Sequence, residues 1–156
     1  MKRYRVLQFP VRNTRSGVTQ YILNNWKFID KSKFIFDYVT FDNALDYEQQ
    51  LNEQGCIAHH ISCKAEDNLE QFITECGLAL DYGYDAIHLH TSYWKNFTVE
   101  QIAKDKGIPV IIVHSHNTDI FDMSQGLERD RALERHNIIK SEFSSDLATH
   151  FCACSK

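Results

Sequence analysis

Four histidines stand in two short runs, His88 and His90 in "IHLH" and His114 and His116 in "VHSH". Within each run one residue separates the pair, the spacing that puts both side chains on one face of an extended strand. An imidazole near neutral pH can donate or accept a hydrogen bond, move a proton, or ligate a first-row metal. Polar residues accompany both runs: Thr91, Ser92 and Tyr93 follow the first, while Ser115 and Asn117 flank His116 in the second. Paired histidines supplemented by carboxylates such as Asp119 and Asp122 would suit a metal-dependent hydrolase, but no HExxH or Cys/His quartet accompanies them. Ser115 and His116 are sequence neighbours outside any GxSxG elbow, which argues against a serine nucleophile with its base.

A second candidate is the segment "PVRNTRSGVTQY". It lacks GxGxxG, which argues against a dinucleotide site. Ser16 and Gly17 open a predicted helix with Arg12 and Arg15 nearby, a place where a phosphate or carboxylate could sit. A solvated loop ending in an N-capping serine explains the same residues. His59 and His60 lie inside a predicted strand and His136 on the apolar side of the last predicted helix, so all three read as structural. The run "ERDRALERH", with Glu128 three residues before Arg131, reads as a solvated helix face.

The elements that must position these residues alternate. Strands are expected at 4–9, 34–41, 56–61, 85–90, 109–114 and 149–155, from apolar, β-branched and aromatic runs bounded by turn residues. Helical periodicity falls between them, over 18–29, weakly over 45–51, over 69–80, around 99–103 and over 127–147. Alternation of this kind predicts an α/β fold, a Rossmann-like doubly wound parallel sheet of about six strands. Ligands of such sheets bind outside the carboxyl ends of the strands, where both histidine pairs are expected.

The 156 residues fit one domain, with no internal repeat or Pro-rich linker. No apolar run reaches the ~20 residues that span a bilayer, and "MKRYRVLQFP" reads as a first strand and not as a signal peptide. A cytoplasmic chain is expected. A net charge of −4 without interleaved basic and aromatic residues argues against nucleic acid. The five cysteines form no CxxC pair and are expected to be reduced packing residues.

Taken in order, "SGVTQYILNNWKFIDKSKFIFDYVTF", "DAIHLHTSYW", "GIPVIIVHSHNTD" and "ATHFCACSK" resemble the N-terminal half of family-four retaining glycosyltransferases of the GT-B type, particularly those of bacterial capsule and exopolysaccharide synthesis. The resemblance covers nearly the whole chain, and "HSHN" and "FCACSK" are its most specific parts. It implies that residues 1–156 form an acceptor-side domain and one wall of a cleft. A C-terminal domain beyond Lys156 would bind most of a UDP- or GDP-sugar donor and carry an E-x7-E motif. Without it the chain would be inactive.

By the same resemblance Gly17, with Ser16, falls at the turn near the donor phosphates. His116 falls beside the transferred sugar, as the catalytic-site residue. His90 and Thr91 fall in the cleft-facing turn after the fourth strand, and Arg15, His114 and Asn117 are expected to contact substrate with them. Where family members carry Gly-Gly and a Glu, this chain reads Arg15-Ser16-Gly17-Val18-Thr19-Gln20, so a phosphate contact there would be made differently. Retaining transfer in such enzymes relies on the donor's own phosphate to take the acceptor proton, so neither a metal nor a tightly bound cofactor is expected. The implied partners are a saccharide or lipid-linked acceptor and the missing domain, with peripheral contact at the inner face of the plasma membrane and homodimerisation through the uncovered cleft wall both left open. Two alternatives also stand: a metal-dependent hydrolase using His88, His90, His114 and His116, and a non-catalytic binding domain of the same fold.

Overall fold

The computed structural model describes residues 2–14, 16–92, 94–117 and 126–154. Six strands, β1 (Tyr4–Val11), β2 (Phe34–Thr40), β3 (Ala58–His60), β4 (Ala86–Thr91), β5 (Val110–Ser115) and β6 (His150–Ala153), form one sheet in the order β3-β2-β1-β4-β5-β6. Every pairing is parallel. The crossovers carry α1 (Gly17–Phe28), α2 (Glu48–Glu53), α3 (Leu69–Leu80), α4 (Thr98–Asp105) and α5 (Leu127–Glu142). This is the Rossmann-like, doubly wound α/β arrangement that the alternating pattern predicts.

Period-two alternation builds the core. Leu7, Phe9, Val39, Ile87, Leu89, Ile111 and Val113 project to one face and bury against Phe72, Cys76 and Leu80 of α3 and Val99 and Ala103 of α4. Phe36 and Tyr38 project to the other face, where Ile22 and Trp26 of α1 and Leu51 of α2 cover them. Side-chain oxygens cap two helices: Ser16 accepts from the Thr19 N–H, and Asn68 from the Gln71 N–H. Past the ends of α3 and α4, Gly83 and Gly107 take φ of 75° and 69°, which only glycine adopts without strain.

Several boundaries differ from expectation. β1 continues through Pro10 to Val11, with a register slip after Gln8 where proline has no N–H to give the ladder. β3 has three residues and not six, so His60 stands at its end and not inside it. Both β3 histidines have structural partners: His59 Nε2 lies 2.7 Å from the Tyr84 hydroxyl, and His60 Nδ1 lies 2.8 Å from the Asp42 carbonyl. The last helix stops at Glu142, with Phe143 as its cap and Leu147 in a separate 3-10 turn. No residue of α5 is fully buried, and Leu127, Leu133 and Ile138 are exposed, so its apolar residues do not make one packed side. His136 is half-buried, and its Nδ1 accepts from the Trp94 N–H at 3.0 Å. Cys56 and Cys76 are buried as packing residues, whereas Cys152 and Cys154 are exposed. Among the described residues no helix is long and apolar enough to cross a membrane.

Candidate functional site

Strand order reverses at β1, with β2 and β3 on one side and β4 to β6 on the other. Chain segments leaving β1 and β4 therefore diverge and open a crevice at the strands' carboxyl ends. A cavity of about 210 Å³ lies there, lined by Pro10, Phe41, Thr91, Trp94, Asn96 and Glu100 among others. Two of these bring buried polar groups to the lining. The Trp94 indole nitrogen is buried with no hydrogen-bond partner among the described residues. Glu100 is only 6% exposed, and burial pushes its carboxyl up to about 7, the range in which an acid can give or take a proton near neutrality.

On the opposite face of β4 and β5 the four histidines form one cluster. The register sets His90 opposite His114, so alternation aligns His88 and His90 with His114, and His116 continues the row just past the strand. His88 and His90 thus lie within β4 and His114 within β5, while His116 alone stands beyond a strand end. His88 Nε2 lies 3.0 Å from His114 Nδ1, and His90 Nδ1 lies 2.8 Å from His116 Nε2. His90 Nε2 reaches Gln8 Oε1 at 2.8 Å, which orients that ring from β1. Beyond β6, Cys154 Sγ lies 3.4 Å from His114 Nε2 and 3.3 Å from His116 Nδ1. The Tyr21 ring of α1 meets His90, His114 and His116 edge-on, with centroids 5.2–6.0 Å apart.

Burial sets the charge state. His88 is lowered to about 4 and His90 to about 2, first by desolvation and then by neighbouring imidazoles. His114 and His116 are also lowered, chiefly by burial. The cluster is therefore neutral at pH 7, a set of hydrogen-bonding and ligating nitrogens and not a cationic clamp for phosphate. Both ring nitrogens of His116 are engaged, one by His90 and the other by Cys154. The backbone N–H of His116 donates to the Thr91 carbonyl at 2.9 Å, tying the ends of β4 and β5 together. The Ser115 hydroxyl donates to the Asn117 carbonyl and takes no part in the cluster.

The loop after β1 is fastened from within. Arg12 Nε donates to both oxygens of Asp42, at 3.1 and 3.2 Å, so the arginine expected beside a bound anion is already paired. Ser16 is occupied as the cap of α1, its Oγ receiving the Thr19 N–H at 3.2 Å. Gly17 opens the helix with no atom of the described residues within 4 Å of where a Cβ would be, so none of them requires glycine there. Arg15, Asp119 and Asp122 lie outside the described residues. The crevice lining accordingly takes in His90 and Thr91 beside Trp94 and Glu100, while the rings of His88, His90, His114 and His116 meet Gln8, Tyr21 and Cys154. Gln8, Cys154, Trp94 and Glu100 were not singled out from sequence. The one signal for Gln8 is an amide among the apolar residues Val6, Leu7 and Phe9 of the first strand; for the other three, strand pairing and packing supply the neighbours.

No family model matches the chain. Over 155 residues, 97% of the chain, it is 26% identical to a Bacillus subtilis (strain 168) protein named "Putative glycosyltransferase EpsF". Its fold resembles the crystal structure of a "putative UDP-N-acetylglucosamine 2-epimerase from Listeria monocytogenes", with a TM-score of 0.54, 12% identity and 97% of the chain covered. The chain spans 39% of the length of each of these proteins. It is thus a Rossmann-like α/β domain, similar along nearly all its length to part of a longer protein named as a glycosyltransferase.

Proposed function

We propose that the chain is the N-terminal, acceptor-side half of a retaining, family-four GT-B glycosyltransferase. In this reading it moves a sugar from a UDP- or GDP-sugar to a saccharide or lipid-linked acceptor in bacterial capsule or exopolysaccharide synthesis. The observation that carries the reading is the similarity to the B. subtilis protein along 97% of the chain. The crevice at the point of strand reversal supports it, because that is where such sheets receive ligands. Donor binding falls to a C-terminal domain that closes the crevice from above, and the chain alone does not turn over. The work is cytoplasmic, at the inner face of the plasma membrane when the acceptor is lipid-linked.

The local chemistry suits positioning. The cavity presents an indole face, the buried Trp94 N–H, Asn96 and the Glu100 carboxyl, groups that stack on and hydrogen-bond to a hydroxylated ring. Gly17, open above its Cα, leaves room for a diphosphate at the first turn of α1. His116 and Asn117 stand just past the end of β5, and in this reading His116 reaches a sugar hydroxyl by exchanging its Cys154 contact for one to substrate. Holding donor and acceptor in line is the larger part of catalysis where the donor phosphate itself takes the proton.

The test is transfer from a panel of UDP- and GDP-sugars by the full-length protein, beside residues 1–156 alone. Transfer by the former that falls at least tenfold in His116→Ala, with none by the latter, is expected. Turnover by residues 1–156, or no use of any nucleotide sugar by the full-length protein, overturns the reading.

A further inference from the structure

We propose that His114, His116 and Cys154 form a Zn²⁺-binding site where the ends of β5 and β6 meet. The family resemblance implies no metal and the hydrolase alternative drew on the four histidines alone, whereas Cys154 completes a mixed nitrogen and sulfur donor set. Three segments bring the donors together: β5 carries His114, the residue just after it is His116, and the end of β6 delivers Cys154, whose N–H donates to the Ser115 carbonyl at 3.2 Å.

The spacing fits the ion. With Zn–N of about 2.0–2.1 Å and Zn–S of about 2.3 Å, tetrahedral ligands lie about 3.3–3.6 Å apart. Here Sγ is 3.4 Å from His114 Nε2 and 3.3 Å from His116 Nδ1, and the three donor atoms fall within 4.8 Å of one another. The fourth position is left to water or a ligand oxygen, and the exposure of Cys154 gives the ion a way in.

Residues behind the donors supply the outer shell that metal-bound histidines require. Gln8 Oε1 accepts from His90 Nε2, so the neutral His90 ring presents a bare Nδ1 to His116. His116 therefore carries its proton on Nε2 and turns its Nδ1 lone pair toward Cys154. His114 does the same through Nε2 when its Nδ1–H donates to His88. Without metal, the thiol proton lies between Sγ and His116. On binding, that proton leaves to solvent and Zn²⁺ takes its place between a thiolate and two imidazoles. The ion takes the same His116 Nδ1 that the proposed transfer would turn to a sugar hydroxyl, and the test reads metal, not turnover.

The purified protein is titrated with Zn²⁺ alone, and with Co²⁺ as the optical probe. One equivalent of Zn²⁺ per chain, protection of Cys154 from iodoacetamide by that equivalent, and a cobalt–thiolate charge-transfer band are expected. Cys154→Ser, a surface change that leaves packing intact, and His116→Ala each abolish the band and the stoichiometric binding. Gln8→Ala weakens Zn²⁺ binding about tenfold or more by freeing His90. Cys63→Ser changes nothing. Absence of saturable Zn²⁺ binding, or stoichiometric binding that persists in Cys154→Ser, overturns the site.

Discussion

The two faces of β4 and β5 are built from the same twelve residues and do opposite work. Ile87, Leu89, Ile111 and Val113 point to one side, where α3 and α4 bury them in the main apolar core. His88, His90 and His114 alternate with them and point to the other, where Tyr21 of α1 packs edge-on against the histidine cluster and His90 and His114 are buried. The lesson concerns division of labour. A strand with period-two alternation can spend half its residues on stability and half on chemistry without either compromising the other. Titration follows the same division: the packed side carries an acid held protonated by burial, Glu100, and the histidine side carries bases held neutral by burial.

Cutting into the packed side has the largest expected effect. Leu89→Ala opens a cavity in the core and is expected to lower unfolding free energy by about 3 kcal/mol in urea denaturation. His88→Leu, one residue before it in the strand, loses one histidine contact and is expected to cost about 1 kcal/mol. Equal losses would show that the faces are not divided as described.

pH comes next, with opposite signs on the two sides. Folded Glu100 keeps its proton up to about pH 7, while the unfolded chain releases it near the ordinary 4.5. Between those values the folded state holds the extra proton, so stability falls as pH rises. The loss by pH 8 is on the order of 3 kcal/mol, and Glu100→Gln is expected to recover most of it. For His88 the folded value of about 4 lies below the ordinary 6.5. Its contribution is present above pH 6.5 and lost as pH falls toward 4, about 2 kcal/mol at pH 5. Thermal melts from pH 5 to 8 should therefore show the acid-side loss shrinking in His88→Leu and the alkaline-side loss shrinking in Glu100→Gln. Unchanged slopes would mean that the buried groups titrate as they do in water.

Gly17→Ala is expected to have the smallest effect on the fold. A Cβ there meets none of the described residues, and alanine is the better helix former, so stability should hold or rise by up to about 1 kcal/mol. If a diphosphate approaches that turn, transfer by the full-length protein falls although the melt does not. A variant with full activity would remove the first turn of α1 from the donor site.

Much of the architecture was legible because alternation and turn residues are local signals. "FIFDYVTF" could hardly be anything but a buried strand, and Gly83 and Gly107 punctuate α3 and α4 where expected. The run from Leu127 misled, because spaced apolar residues do not reveal whether anything packs on them, and no residue of α5 is fully buried. β3 came out shorter because Cys56 and Ile61 are buried by neighbours without belonging to the ladder.

For the site, the sequence by itself determined that two histidine pairs would share faces, since a spacing of two on a strand permits nothing else. It pointed to the carboxyl ends of two strands for both pairs, but His88 and His90 lie within β4, His114 lies within β5, and His116 alone stands past a strand end. Only the tertiary structure decided that the pairs face the same side, in the register that sets His90 against His114. Only it decided that Cys154, arriving 38 residues after His116, completes the cluster, and that Gln8 from β1 orients it. The physical reason is the range of the forces involved. Backbone stereochemistry fixes a residue's side of its own strand, but which strands meet, and in what register, follows from burying the whole sheet at once.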